Sequence, residues 1–324
     1  MTRAPTNIGA SVRARLLKLA KERREDFQLL LSRYANERLL HRLSVSAHAS
    51  QFILKGATLF TLWTGRPHRA TRDLDLLGFG DPGQARLRAV FEDILRTDVG
   101  DDGVAFDVAS LEVGPIREGQ EYSGVRLLLR ATIVSSVVRL QVDVGFGDAI
   151  TPGPETVEFP GLLDFQRPIL RAYPRATVVA EKVEAMVQLG LANSRMKDFF
   201  DVVVMSRMFP FDGDELARAI RSTFERRGTA LPAGLPMGLT DEFAADKMKV
   251  SQWTGFVRKA AAAIEMQDLP AVIHEARGFL VEPLSAARAH GLWGFRGDRP
   301  ARGPLRRHPG SMVAYLRSAV GAAR

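Results

Sequence analysis

The chain of 324 residues contains no cysteine. That absence excludes disulfides, thiolate zinc sites and cysteine nucleophiles together. No run of about 20 apolar residues occurs, so no stretch reads as a membrane-spanning helix. Met1 to Ala10 has no apolar core of the kind a leader peptide carries. Acidic residues are in the minority, with 37 Asp and Glu against 45 Lys and Arg, a net charge of +8. What is present, 46% hydrophobic and 25% charged residues, is the composition of a globular protein. A chain of this length suggests about two domains and buries about three quarters of its unfolded surface without a covalent staple. The expectation is a cytoplasmic enzyme or binding protein with no membrane attachment.

The charge is unevenly placed. Residues 1 to 42 hold ten Lys or Arg against four acids, and residues 286 to 324 hold eight Arg against the single acid Asp298. The stretch between them is net −5. Two basic ends around an acidic centre suit a protein that gathers polyanions at its edges and holds cations in a central cleft. Solvated arms with no partner would carry the same pattern.

Apolar positions at helical spacing (Leu16, Leu19, Leu30, Tyr34) predict one long amphipathic helix or a broken pair over residues 11 to 42. Phe52 to Leu54 reads as a short strand broken by Gly56, with a helix resuming over Thr58 to Thr64. Asp73 to Leu77 reads as a strand and Gln84 to Arg96 as a helix. The β-branched runs Val104 to Val113, Val125 to Val134 and Val137 to Phe146 read as strands, the last two joined at Ser135 and Ser136 as a hairpin. Beyond Thr177 the pattern is helical over 177 to 191, 196 to 209, 213 to 226, 241 to 264 and 268 to 280. Pro and Gly punctuate Leu231 to Gly238 and the segment from Gly291 to Gly310. The expected organisation is a basic helical segment over 1 to 42, an α/β domain over 43 to 175, a helical domain over 176 to 290 and a basic flexible tail over 291 to 324.

Asp73 and Asp75 are separated by one residue within an apolar run, so they share one face of a strand while Leu74 and Leu76 point the other way. Two carboxylates held that close repel unless a cation sits between them, and Mg2+ is the natural candidate because it shares its oxygen shell with substrate phosphates. A solvent-facing edge strand would show the same Asp-x-Asp. Two further places support the chemical reading. Lys55, Gly56, Ala57 and Thr58 stand where a strand turns into a helix, which lets the backbone approach a phosphate closely. Asp143 lies within an apolar strand, where an unpaired charge is expensive. Three carboxylates on neighbouring strands beside such a turn make a phosphoryl or nucleotidyl transfer site.

With these residues in this order, the sequence resembles the AbiEii/MenT family of nucleotidyltransferase toxins, in the superfamily that includes DNA polymerase beta and the aminoglycoside nucleotidyltransferases. The family pattern is a Gly-Gly or Gly-Ser turn, a short helix, an Arg, a Ser and an Asp-x-Asp strand. It stands here as Lys55, Gly56, Ala57 and Thr58, then Arg69, Thr71, Asp73 and Asp75, with Ala57 and Thr71 replacing the usual residues. Asp143 matches the third carboxylate. Lys182, followed by Arg195, Lys197, Asp198 and Asp201, looks like the family's later motif. The resemblance covers about residues 50 to 205.

The resemblance implies an α/β (α+β) fold, a small mixed β-sheet nucleotidyltransferase core followed by a helical C-terminal domain. It implies Mg2+-dependent transfer of a nucleoside monophosphate from an NTP to RNA, with the 3′ end of tRNA as acceptor, growth arrest as the consequence and an antitoxin as partner. Asp73, Asp75 and Asp143 would bind metal, Asp143 alternatively serving as general base. Lys55, Gly56, Ala57, Thr58, Arg69, Thr71 and Lys182 would hold the nucleotide. Lys182 and Asp198 would join the catalytic set, and Asp201 fits a pairing role as well as a catalytic one. Transfer to a small molecule such as an aminoglycoside is the alternative enzyme, disfavoured by the basic balance. A non-catalytic nucleic-acid-binding or antitoxin-like module is the alternative of another class.

Overall fold

The computed structural model describes residues 7–69, 71, 73–116, 124–260 and 267–289. The chain divides into two compact units, one comprising residues up to Gly147 together with Glu155–Ala172, the other Asp148–Pro154 together with the chain from Tyr173 onward.

The first unit opens with two helices, α1 (Ile8–Arg23) and α2 (Phe27–Val45), so the basic N-terminal segment is a broken pair. The break has a local cause: Arg24 adopts a left-handed conformation at φ 53°, and the Asp26 side chain then accepts the Leu29 amide at 2.8 Å to start α2. The remaining elements are β1 (Phe52–Lys55), α3 (Thr58–Thr64), β2 (Asp73–Gly78), α4 (Gln84–Arg96), β3 (Ala105–Pro115), β4 (Val125–Ile133), β5 (Ser136–Phe146), β6 (Glu155–Glu158) and β7 (Ile169–Ala172). The strands form one mixed sheet in the order β3-β4-β5-β2-β1-β7-β6. β2 runs parallel to β5 and antiparallel to β1, and β1 runs parallel to β7.

Period-two alternation splits the sheet into two chemical faces. Leu74, Leu76, Leu127, Leu129, Leu140, Val142 and Val144 are buried on one of them, each such side chain contributing about 1.5–3 kcal/mol. Asp73, Asp75, Gln141 and Asp143 alternate with them onto the other face. α2 packs along β5 and β7, and α4 along β3, with Phe52 and Phe91 in edge contact at 5.6 Å.

α2 also buries charge, and each charge is paired. Arg42 grips Asp102 at 2.7 and 3.2 Å, Arg38 donates to Glu37 and to the Gln166 carbonyl, and Glu37 accepts the Leu162 amide. These bonds tie two long loops to one helix.

The β4–β5 hairpin turns one residue earlier than the sequence suggests. Ile133 pairs with Ser136, so the turn is Val134 and Ser135, with Val134 at φ 58°. Val134 is half exposed at that turn with its Cγ2 beside Gly9 of α1, and Arg13 Nε donates to Ser136 Oγ at 3.1 Å. β6 and β7 have no counterpart among the expected strands.

The second unit is helical: α5 (Arg175–Leu189), α6 (Met196–Met208), α7 (Gly213–Arg227), α8 (Asp241–Ala245), α9 (Lys247–Ala260) and α10 (Leu269–Ala289). The single helix expected over 241 to 264 is two, because Asp246 ends α8 and its side chain accepts the Lys249 amide at 2.9 Å to begin the next; residues 261–264 lie outside the described residues. Phe199 and Phe243 stack at 5.2 Å, and Arg207 of α6 holds Glu275 of α10 through two bonds of 2.7 and 2.5 Å. The tail over 291 to 324 lies outside the described residues. Among the described residues, no helix is long and apolar enough to cross a membrane.

Candidate active site

β1 ends at Lys55, Gly56 turns the chain at φ 76°, and α3 starts at Thr58. Gly56 is required by contact as well as by conformation. A Cβ added there would stand 2.0 Å from Asp75 Oδ2 and 2.6 Å from Asp75 Cγ. The Asp75 carboxylate therefore rests against the bare backbone of the turn. α3 is only seven residues long, so what it offers a ligand is the backbone of the turn rather than an extended helix dipole. Ala57 is buried and contributes no functional group, while Lys55 and Thr58 are half-buried.

Sheet register assembles the carboxylates. Asp75 stands opposite Lys55 on β1 and opposite Asp143 on β5, and Asp73 stands opposite Gln141. Neighbours in register project from the same face, so Lys55, Asp73, Asp75, Gln141 and Asp143 share one surface. Asp73 is exposed, while Asp75 and Asp143 are half-buried. Arg69 and Thr71 are half-buried on the chain leading into β2.

Two residues absent from the sequence reading complete this group. Arg126 of β4 stands opposite Asp143 and binds it bidentately, Nε to Oδ1 and Nη2 to Oδ2 at 2.8 Å each. Gln141 Nε2 donates to both oxygens of the same carboxylate, at 3.2 and 3.1 Å. Such charge-assisted pairs fix a carboxylate's direction strongly. The signal that would have found Arg126 is the hairpin register.

The later motif folds into the second unit. Lys182 Nζ of α5 donates to Asp198 Oδ1 at 2.9 Å and to Asp201 Oδ2 at 2.7 Å, and Arg195 Nε lies 2.7 Å from Asp198 Oδ2. Asp198 and Asp201 are fully buried, one turn apart on α6. Burial alone would raise the Asp198 pKa, but Lys182 and Arg195 outweigh it and hold the carboxyl below its usual range. Asp198 thus stands behind Lys182 as the group that fixes its ammonium.

Among the described residues, no three His, Asp or Glu side chains converge as a ready-made metal cage. Mg2+ does not need one, because it binds through one or two carboxylates and completes its shell with water and substrate phosphates. Asp73 and Asp75, on one face of one strand, supply such a pair. The donor set is all oxygen, as Mg2+ prefers, and so fits that ion.

Comparison with known proteins identifies a family. The family described as nucleotidyl transferase AbiEii toxin, type IV toxin–antitoxin system, matches residues 38–274. No match is found among curated proteins. Among solved structures, an H. pylori protein provisionally described as a nucleotidyltransferase is similar at 15% identity and TM-score 0.49, over 83% of this chain and 99% of its own. Helicobacter pylori JHP933 is similar at 15% identity and TM-score 0.48, over 82% of this chain and 96% of its own. By the extent of the family match, from ahead of the Gly56 turn to beyond the Asp198 motif, the chain belongs to the AbiEii nucleotidyltransferase toxins of type IV toxin–antitoxin systems.

Proposed function

We propose that this chain moves a nucleoside monophosphate from an NTP to the 3′ end of a tRNA, with Mg2+ as cofactor, and that a cognate antitoxin opposes it. The observation that carries the reading is the register of Asp75 and Asp143 on adjacent parallel strands, with Asp75 pressed onto the Gly56 turn. The basic N-terminal segment supports a polyanionic acceptor.

Asp73 and Asp75 are the residues that would hold the metal. When bound, Mg2+ supplies neutralisation of the triphosphate and of the departing pyrophosphate. Lys55 and the backbone at Gly56 and Thr58 bind the phosphates, and Arg69 and Thr71 orient them from the segment entering β2. Asp143 either joins the metal ligands or takes the proton of the acceptor hydroxyl, whose oxygen bonds to the α-phosphorus as the bond to pyrophosphate breaks. Either role requires one of the donors on its oxygens, Arg126 or Gln141, to give way, and Arg126, which fixes the carboxylate's direction, is a positioning residue. Lys182 contributes a fixed charge to triphosphate handling, with Asp198 and Asp201 as its positioning residues.

The test is incubation of the purified chain with total tRNA, Mg2+ and each labelled NTP in turn. Label should enter tRNA from one or a few NTPs and should not do so with Asp75→Ala. An absence of labelled RNA under all four NTPs, with label transferred instead to a small acceptor, would overturn the RNA reading.

A further inference from the structure

Near the end of α1 the first unit holds a group of arginines whose donors are not used up. Arg23 Nη1 and Arg33 Nη2 are both buried atoms without a hydrogen-bond acceptor among the described residues. Buried N–H groups in a folded protein are nearly always satisfied, and two charged ones left open call for an acceptor supplied from outside the chain. Arg33 does pair with Glu25 through its other terminal nitrogen. The Arg23 guanidinium has no ion pair or hydrogen bond among the described residues, and neither does that of the exposed Arg66, whose backbone alone bonds to Thr64.

Arg33 and Arg66 each lie within electrostatic reach of Arg23. Burial depresses the Arg23 pKa, Glu25 and Glu22 oppose the shift, and the charges of Arg33 and Arg66 add to it. Nearby Lys21 and Arg24 are exposed. Like charges gathered with open donors, and only partly offset by Glu22 and Glu25, form the environment an anion stabilises most.

Position says which anion. Arg66 lies on the segment joining α3 to β2, seven residues before Asp73, and a chain of that length spans at most about 25 Å. Arg23 and Arg33 precede residue 38, where the family match begins. Two of the arginines thus stand on the N-terminal helices ahead of the matched region, and the third on the segment that leads into the Asp73 strand. The planar, multiply donating guanidinium matches a phosphate bidentately.

We propose that Arg23, Arg33 and Arg66 form a phosphate site that takes one backbone phosphodiester of the RNA acceptor. The proposal rests on the reading of the chain as an RNA-directed nucleotidyltransferase. It assigns acceptor contact to particular residues.

The test uses direct binding of the full chain to tRNA across a salt series, which needs no turnover, alongside steady-state kinetics. Arg23→Gln and Arg66→Gln are each expected to reduce the magnitude of the log–log salt slope by about 0.7–0.9, one phosphate contact. The acceptor KM should rise roughly tenfold, as for loss of one charged contact, with kcat and the NTP KM unchanged. Arg66 is exposed, so its variant keeps the proposal testable if Arg23→Gln fails to fold. Inorganic phosphate should compete with tRNA for the wild-type chain more effectively than for the variants.

An unchanged salt slope in a folded, active Arg66→Gln variant would overturn the site. A raised NTP KM with an unchanged acceptor KM would overturn it too, by assigning the arginines to the nucleotide. Loss of antitoxin binding with intact tRNA binding would make the cluster a protein contact and reject the phosphodiester. A shifted slope in a chain with no transferase activity would instead uphold the site and overturn the enzymatic reading.

Discussion

Gly56 lies so close to Asp75 that any added Cβ would stand 2.0 Å from Asp75 Oδ2. The turn and the carboxylate are therefore one unit, and the glycine is fixed by what it touches as much as by its φ of 76°. Gly56→Ala imposes about 1–2 kcal/mol of backbone strain and forces Asp75 to rotate away. The expected result is a chain that still folds, by circular dichroism and thermal unfolding, but has lost roughly 10²-fold or more in transfer rate, the scale at which misplacing a reacting group costs catalysis. A near-normal rate would separate Asp75 from the chemistry.

If Asp73 and Asp75 hold Mg2+ as proposed, transfer depends on the ion. Chelation should abolish labelling of tRNA, and added Mg2+ should restore it. Asp73→Asn and Asp75→Asn should each abolish activity at saturating Mg2+ in a chain that still folds. Transfer that persists at full rate in either variant would remove that Asp from the metal set.

Arg126 is the sheet's own counter-charge for Asp143, and its loss has two readouts. Arg126→Ala leaves the half-buried Asp143 with Gln141 as a neutral partner. We expect a loss of about 1–3 kcal/mol, the range for a hydrogen bond to a charged group, visible as a lowered denaturation midpoint. Arg126→Lys should recover most of the stability but less of the activity, because an ammonium cannot reproduce the two parallel bonds that orient the carboxylate. Equal recovery of both would make the pair purely structural.

Asp143 also illustrates how far the sequence could be read. The alternation of Asp73, Leu74, Asp75 and Leu76 placed both carboxylates on one face, and the structure agrees. The Arg126 partner was not legible because the hairpin turn is Val134 and Ser135. A turn at Ser135 and Ser136 would set Val134 opposite Val137, and Asp143 would then face Leu128. One residue of turn position moves every cross-strand partner by two. Nothing local marks Val134 for a left-handed turn, a conformation that β-branched residues rarely adopt. β6 and β7 escaped for a different reason: four residues each, with an exposed pattern, they give too short a periodicity to separate from loop. The spacing of Asp198 and Asp201 puts them on one helical face, but their complete burial is a product of packing that spacing does not encode.

That burial yields the last prediction. Lys182 satisfies two carboxylates that have no access to water, so removing it takes the shared ammonium from both, with Asp198 keeping Arg195. Lys182→Ala should cost about 3–5 kcal/mol, the usual price of breaking a buried pair from one side. Asp198→Asn should cost less, because Lys182 keeps Asp201. The pH dependence separates the two effects. The folded Asp198 pKa is depressed below the unfolded value, so its contribution is complete above the unfolded pKa of about 4 and fades as pH falls through the folded one. The wild-type chain should therefore lose stability on acidification below about pH 4, and Asp198→Asn should flatten that limb while lowering the plateau at neutral pH. Thermal unfolding across pH 2 to 8 measures both, and parallel acid limbs for wild type and variant would show that Asp198 is not held by charge. Activity of Lys182→Ala, measured below its unfolding transition at saturating NTP, completes the comparison: a fall of roughly 10²-fold places the ammonium in triphosphate handling, and an unchanged rate leaves Lys182 as a structural ion pair.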